Sequence, residues 1–190
     1  REEANVVTLE DPVEYFIEGV NQSQIRPEIN YSFIRGLRQL VRQDPDVIMV
    51  GEIRDDETAS LAIHAALTRH IILSTLHTNN AVGVIPRLID MGVDPFLVGP
   101  TLRLAIAQRL VRRLCPHCKK KVVATDSQRE LIQKNYQSLP AHLQKKYTLP
   151  DPLYIYQPVG CESCNFSGYK GRLGVFEVLK MTERLADVLL

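Results

Sequence analysis

Four cysteines, Cys115, Cys118, Cys161 and Cys164, form two Cys-x-x-Cys pairs with 42 residues between them. Two such pairs can wrap one tetrahedral Zn²⁺ with four thiolates, a closed site of structural rather than catalytic type. The separation is longer than that of a usual zinc ribbon, so free buried thiols and redox cysteines stand as competing readings. Pro116 and Gly160 beside the pairs suit tight thiolate-bearing turns. His117, between the first two cysteines, is read as a bystander. The opening Arg1-Glu2-Glu3 is charged and no signal-type apolar segment follows, so export is not expected. In a reducing cytosol, paired cysteines hold a metal more often than a disulfide.

A second group of chemical side chains follows three short apolar runs. Glu10, Asp11 and Glu14 come after NVVTL, Gly51 and Glu52 after VIMV, and His77 after IILST. In a parallel sheet, ligands bind in the crevice outside the carboxyl ends of the strands. If the three runs are parallel strands, Glu10, Glu52 and His77 converge on one edge. An apolar strand ending in Gly-Glu resembles the second Walker motif, whose carboxylate orients water for in-line attack on a terminal phosphate while Mg²⁺ neutralises developing charge. An acid usually precedes that Glu, and here Gly51 does, so metal ligation falls to Glu10 and Glu14. The phosphate loop G-x-x-x-x-G-K-[ST] is absent. Either it lies upstream of Arg1 or the chain is not a nucleotide hydrolase. On residues alone, an acid after an apolar run is more often a solvated loop group, and a lone histidine such as His77 or His64 a structural one.

The elements that would position these groups are legible in part. Asn5–Leu9 and Val47–Val50 read as buried strands, and Ile71–Thr75 as a third strand. Ser32 caps a helix running to about Gln43, with Arg35, Arg38 and Arg42 in a stripe apart from its apolar face. Thr58–Thr68 is an Ala-rich helix, so the second and third strands and this helix form a parallel crossover unit. Apolar residues at 102, 106, 110 and 114 predict a helix over 101–114. Residues 125–150 are polar and predict a helical insertion in the metal lobe. Gly168–Arg172 reads as a loop, and Val175–Leu179 as a strand. The chain of 190 residues is 45% hydrophobic and 24% charged, as a globular α/β protein would be. A net charge of +1 gives no global electrostatic case for nucleic acid or membrane. Both ends, including the amphipathic Leu185–Leu190, read as cut from something longer.

Five ordered segments resemble one family. TLEDPVEY (8–15), RQDPDVIMVGEIRD (42–55), STLHTNNA (74–81), AQRLVRRLCPHC (107–118) and CESCNFSGYKGR (161–172) are similar to the type II secretion and type IV pilus assembly ATPases, the additional-strand, RecA-like secretion superfamily. The resemblance implies a partial RecA-like P-loop core with parallel strands over 1–114, a tetracysteine zinc subdomain over 115–172, and a return strand with the start of C-terminal helices over 173–190. It makes Glu10 and Glu14 the carboxylates near Mg²⁺, Glu52 the catalytic base and His77 a group near the phosphate of ATP. Gly51, Arg35, Arg38, Arg42 and Arg109 are the implied nucleotide-contacting positions. Also implied are a homohexamer that is cytoplasmic and peripheral at the bacterial inner membrane through secretion or pilus platform proteins, without nucleic acid. The fragment alone is expected to be inactive. Because retraction motors of the family lack cysteine pairs, the zinc site leans toward extension or secretion. Where the family has Thr-Gly-His, this chain has Thr68-Arg69-His70, awkward if the turn needs a positive φ.

Two readings of other classes stand beside this one. Segment 101–125 holds Arg103, Arg109, Arg112, Arg113 and Lys119–Lys121 with no acid, so a basic zinc module could bind nucleic acid, although that segment has no stacking aromatics. A scaffolding zinc protein is the third reading.

Overall fold

A computed structural model describes residues 4–189; the charged start at Arg1–Glu3 and the final Leu190 lie outside the described residues. The chain divides into two compact units, one comprising the chain through Gln108 together with Phe176 onward, the other Arg109–Val175.

The first unit is built on a parallel sheet. Strand β1 (Val6–Glu10) pairs on one side with β2 (Asn21–Gln24) and on the other with β3 (Val47–Val50), and β3 pairs with β4 (Ile71–Ser74). The order is therefore β2-β1-β3-β4, all parallel. The run VIMV forms β3 because its β-branched residues suit a pleated, covered surface; Ile48 and Val50 are buried, with Val47 and Met49 half-buried. Helix α1 (Phe33–Leu40) is capped by the Ser32 side chain, which accepts from the Arg35 N–H, and a 3-10 turn extends it over Val41–Gln43. Gly36 lets α1 lie close on β1, since a Cβ there would stand 2.5 Å from Leu9 Cδ2. Helix α2 (Asp56–Leu67), capped by Asp55, supplies small buried faces at Ala59, Ala62 and Ala65. Helices α3 (Val84–Asp90) and α4 (Pro95–Thr101) follow. Val7, Leu9, Leu37, Ile48, Val50 and Val98 form the fully buried centre of this unit.

The expected helix over 101–114 is instead strand β5 (Leu104–Leu114), paired with β8 (Tyr169–Lys180) as a two-stranded ribbon. A spacing of four returns to the same face of a strand as well as of a helix, and the pairing that settles the matter comes from distant sequence. The loop expected over 168–172 likewise belongs mostly to β8, with Gly171 at φ +82°. The division between units falls within both strands.

In the second unit, β6 (Lys120–Val123) pairs antiparallel with β7 (Tyr154–Gln157). Between them run helices α5 (Asp126–Gln137), closed at its start by a Thr125–Gln128 capping box, and α6 (Ala141–Lys146). The polar stretch 125–150 is thus helical, as its composition predicts. In the first unit, α7 (Glu183–Val188) packs on α4, where Gly99 leaves room for Ala186.

Candidate functional site

The parallel register aligns three chain exits. Leu9 pairs with Val50 and Val50 with Ser74, so Glu10, Gly51-Glu52 and Thr75 leave the sheet at the same carboxyl edge. Backbone hydrogen bonds continue the alignment past the strands: the Gly51 N–H donates to the Leu9 carbonyl at 2.7 Å, and the Ile53 N–H to the Thr75 carbonyl at 3.0 Å. The Thr75 hydroxyl adds a bond to the Gly51 carbonyl at 2.7 Å. A side chain at 51 would bring its Cβ to 3.0 Å from the Leu9 oxygen. That close approach accounts for glycine where an acid usually stands.

Glu52 is the best-held group of the edge, its side chain only 14% exposed. One oxygen pairs with the Arg54 guanidinium, and the other lies 3.4 Å from His77 Nε2. The Arg54 hydrogen bond holds the Glu52 carboxyl below the ordinary glutamate value of 4.5; burial opposes this, and His77 assists it. Glu52 is therefore an ionised hydrogen-bond acceptor through the neutral range, suited to orienting a donor such as water. Glu10 accepts from the Thr8 hydroxyl at 2.6 Å and the Gln22 amide at 2.9 Å. Glu14 stands exposed in the loop after β1 and makes none of these contacts. The structure thus joins His77 to Glu52 and places Glu10 one strand away.

Arg35 and Arg38, with Asn30, Tyr31 and Gln39, line a hollow of about 460 Å³ on α1, and Arg38 pairs with Glu57 at 3.6 Å. Neither contacts Glu10, Glu52 or His77, nor does the exposed Arg42. Arg109 lies in the other unit, on β5. Two functional neighbours escape a reading of motifs. Arg54 is betrayed only by an acid–base pair two positions apart at a strand end, and Gln22 sits on a strand with no apolar signal at all.

In the second unit the four cysteine sulfurs all lie within 4.8 Å of one another. Cys115 and Cys161 are 3.9 Å apart, Cys118 and Cys164 3.9 Å, and Cys161 and Cys164 3.8 Å. Tetrahedral Zn²⁺ with Zn–S bonds of about 2.3 Å places its sulfurs about 3.8 Å apart, so the cluster fits that ion. Backbone N–H groups of Gly160, Cys161 and Gly168 point at sulfurs from 3.3 Å. Glycine is required at both flanks. Gly160 has φ +110° and a Cβ there would lie 2.7 Å from the Phe166 carbonyl oxygen; Gly168 has φ +75° and its Cβ would lie 2.5 Å from Pro158 Cβ. Burial raises the Cys161 thiol to about 11. Burial also works against the Cys164 thiolate, but N–H donation from Cys161 and Gly168 prevails and brings it down to about 6. His117 is exposed and outside the cluster.

Carboxylates and an imidazole on the carboxyl edge of a parallel sheet define an α/β protein of the class that binds ligands in that crevice. The family described as type II/IV secretion system protein matches residues 1–190, and the chain belongs to it. It is 47% identical over 187 residues to the type II secretion system ATPase E of Vibrio cholerae, covering 98% of this chain and 35% of that protein. It is 48% identical over 187 residues to the type IV pilus assembly ATPase TfpB of Acinetobacter baylyi, covering 98% of this chain and 30% of that one. The chain thus spans about a third of the length of these relatives. Among solved structures, it resembles the pilus retraction motor PilT with bound ADP at a TM-score of 0.63 and 26% identity, over 98% of this chain and 41% of PilT.

Proposed function

We propose that this chain is the catalytic-acid portion of a protein that hydrolyses ATP to ADP and phosphate and couples the reaction to type II secretion or type IV pilus assembly. The observation that carries this is Glu52, ionised, shielded and held between Arg54 and His77 on the carboxyl edge of a parallel sheet. In this reading Glu52 orients the attacking water. Glu10 and Glu14 are the carboxylates nearest Mg²⁺, which prefers oxygen ligands and keeps several waters. His77 meets the phosphate, and Gly51 leaves the strand end open. Arg35, Arg38, Arg42 and Arg109 are candidate nucleotide contacts. The names of the relatives support ATP as the nucleotide and a secretion or pilus machine as the setting.

The whole protein works as a homohexamer at the cytoplasmic face of the inner membrane, through platform proteins. No described helix is long and apolar enough to cross a membrane. Domains follow the chemistry: a nucleotide-core portion over 1–114, a zinc subdomain over 115–172 and a return strand with helix over 173–190. The four cysteines hold one structural Zn²⁺. Without the phosphate loop the 190-residue chain alone does not turn over ATP.

Replacing Glu52 by Gln in the full-length protein keeps the side chain's shape and removes its charge. Steady-state ATP hydrolysis should fall about 10²–10⁴-fold, with ATP still bound. Unchanged turnover would leave a scaffolding zinc protein as the better reading.

A further inference from the structure

Strand β2 reads NQSQ, with no apolar residue to seat it in a core. Its glutamines have another use. Gln22 is registered with Thr8 and Gln24 with Glu10, and residues two apart on a strand share a face. Thr8, Glu10, Gln22 and Gln24 therefore stand on one side of the sheet.

The Gln22 amide meets three groups there. Its Nε2 donates to Glu10 Oε1 at 2.9 Å and to the Tyr15 carbonyl at 2.9 Å, and its Oε1 accepts from the Ile17 N–H at 2.7 Å. All three partners fix the same orientation, because a reversed amide would aim its oxygen at a carboxylate and a carbonyl, and its nitrogen at an N–H. The hydroxyl of Thr8, a residue only 3% exposed, donates to the same Glu10 oxygen at 2.6 Å. Two donors thus converge on Oε1, and among the described residues no hydrogen bond reaches Oε2.

Tyr15 and Ile17 belong to the connection between β1 and β2, residues 11–20. Tyr15, Phe16 and Ile17 at its tip are 81%, 94% and 56% exposed. A tip this exposed takes its position from hydrogen bonds rather than from packing. The other glutamine of β2 steadies the start of the connection, where the Val13 N–H donates to Gln24 Oε1 at 3.5 Å.

We infer that Gln22 is a positioning residue for Glu10: it pins one carboxylate oxygen, leaves the other to an incoming ligand, and ties that presentation to the tip at 15–17. The inference rests on the proposed role of Glu10 near Mg²⁺ and deepens it. Hydrogen bonds from outside a metal centre orient its ligands in this way. Because one planar amide serves both ends, displacing the tip turns the group that holds Glu10.

Two substitutions separate the roles. Gln22→Met keeps the side-chain length and removes donor and acceptor together. Gln22→Glu keeps an acceptor for Ile17 and replaces the donor by a charge that repels Glu10. In the full-length protein, the Mg²⁺ concentration for half-maximal ATP hydrolysis should rise about 10–100-fold in both variants, with the KM for ATP at saturating Mg²⁺ unchanged. In the 190-residue chain, hydrogen exchange at the Ile17 amide should quicken in Gln22→Met and keep the parent's rate in Gln22→Glu.

Glu10→Gln is run beside them. If it abolishes turnover while both Gln22 variants keep the parent's Mg²⁺ requirement, the inference is overturned and the nucleotide reading stands. Turnover lowered alike at every Mg²⁺ concentration overturns it too, since that is the mark of a merely structural residue. Normal turnover in Glu10→Gln removes the nucleotide reading of Glu10 and the inference with it. Unaltered Ile17 exchange in Gln22→Met overturns the link to the tip. Thermal melting reports folding; if Gln22→Met does not fold, the Mg²⁺ requirement of Gln22→Glu decides.

Discussion

At the sheet edge, Glu10, Glu52 and His77 arrive from three separate strands, and their meeting depends on the register of β1, β3 and β4. In the cysteine cluster, each sulfur pair arrives within a single turn, and only the joining of two turns is long-range. The two sites also differ in how their donors are held. Arg54 and His77 are 62% and 85% exposed, free to reorient when a ligand enters. The N–H groups aimed at the sulfurs are backbone, fixed by glycines that tolerate no Cβ. On the proposed function, the site that admits and releases a ligand is built from exposed side chains on a buried sheet. A site that must close once is built from the backbone itself.

The contrast is broken most severely by removing the metal. Structural zinc contributes about 10–16 kcal/mol of apparent binding energy in small zinc domains. Elemental analysis should find one Zn²⁺ per chain. Chelation should then strip hydrogen-exchange protection from the Val122 and Ile155 amides of the antiparallel β6–β7 pair while Val7 and Ile48 in the parallel sheet keep theirs. Equal loss in both units would mean that the sheet, too, depends on the ion.

A smaller perturbation tests whether the backbone holds the sulfurs. Gly168→Ala meets Pro158 Cβ at 2.5 Å with φ at +75°, costing about 1–3 kcal/mol. Because the same residue donates to Cys164 Sγ, zinc retention against a competing chelator should weaken alongside stability. Retention equal to that of the parent would show that the thiolates suffice without the turn.

Much of this difference is legible in the sequence, for reasons that separate local from distant information. The runs that became β1 and β3 announce themselves because buried parallel strands are uniformly apolar, and the cysteine pairs because metal turns have short fixed spacing; β4 shares the apolar run although Ile71 and Leu73 are exposed. Strand β2, NQSQ, carries no hydrophobic signal; it exists because β1 offers an unpaired edge, and from it comes the Gln22 amide that holds Glu10. The misread helix at 101–114 has a four-residue apolar spacing that both periodicities share, and its partner β8 lies more than fifty residues on. The turn at Arg69 is legible only through the resemblance: the glycine that the family has there points to a positive φ, and Arg69 has φ +81°.

That turn gives the next test, on the side of the sheet. Arg69 sits between α2 and β4 in a conformation that costs an L-residue about 1–2 kcal/mol. Glycine removes this strain but loses more chain entropy on folding, about 0.5–1 kcal/mol. Arg69→Gly should therefore stabilise by up to about 1 kcal/mol, read as a raised urea midpoint with an unchanged slope. A lowered midpoint would mean that the arginine side chain makes a compensating contact.

The smallest effect sharpens the contrast between mobile and fixed donors. Glu52 has a folded-state pKa below its ordinary 4.5, so its contribution to stability is fully present above 4.5 and is lost as pH falls through the folded value. The Arg54 hydrogen bond is the largest cause; burial acts the other way, and His77 adds less. In Arg54→Gln the carboxyl should titrate nearer 4.5, seen by carbon NMR at Glu52, and the acid limb of the stability curve should begin at a higher pH. Cys164 should be unmoved, because its donors are backbone groups of the other unit. If Glu52 keeps its low value without Arg54, the sheet edge is as rigidly prepared as the cysteine turns, and side-chain mobility no longer distinguishes the two sites.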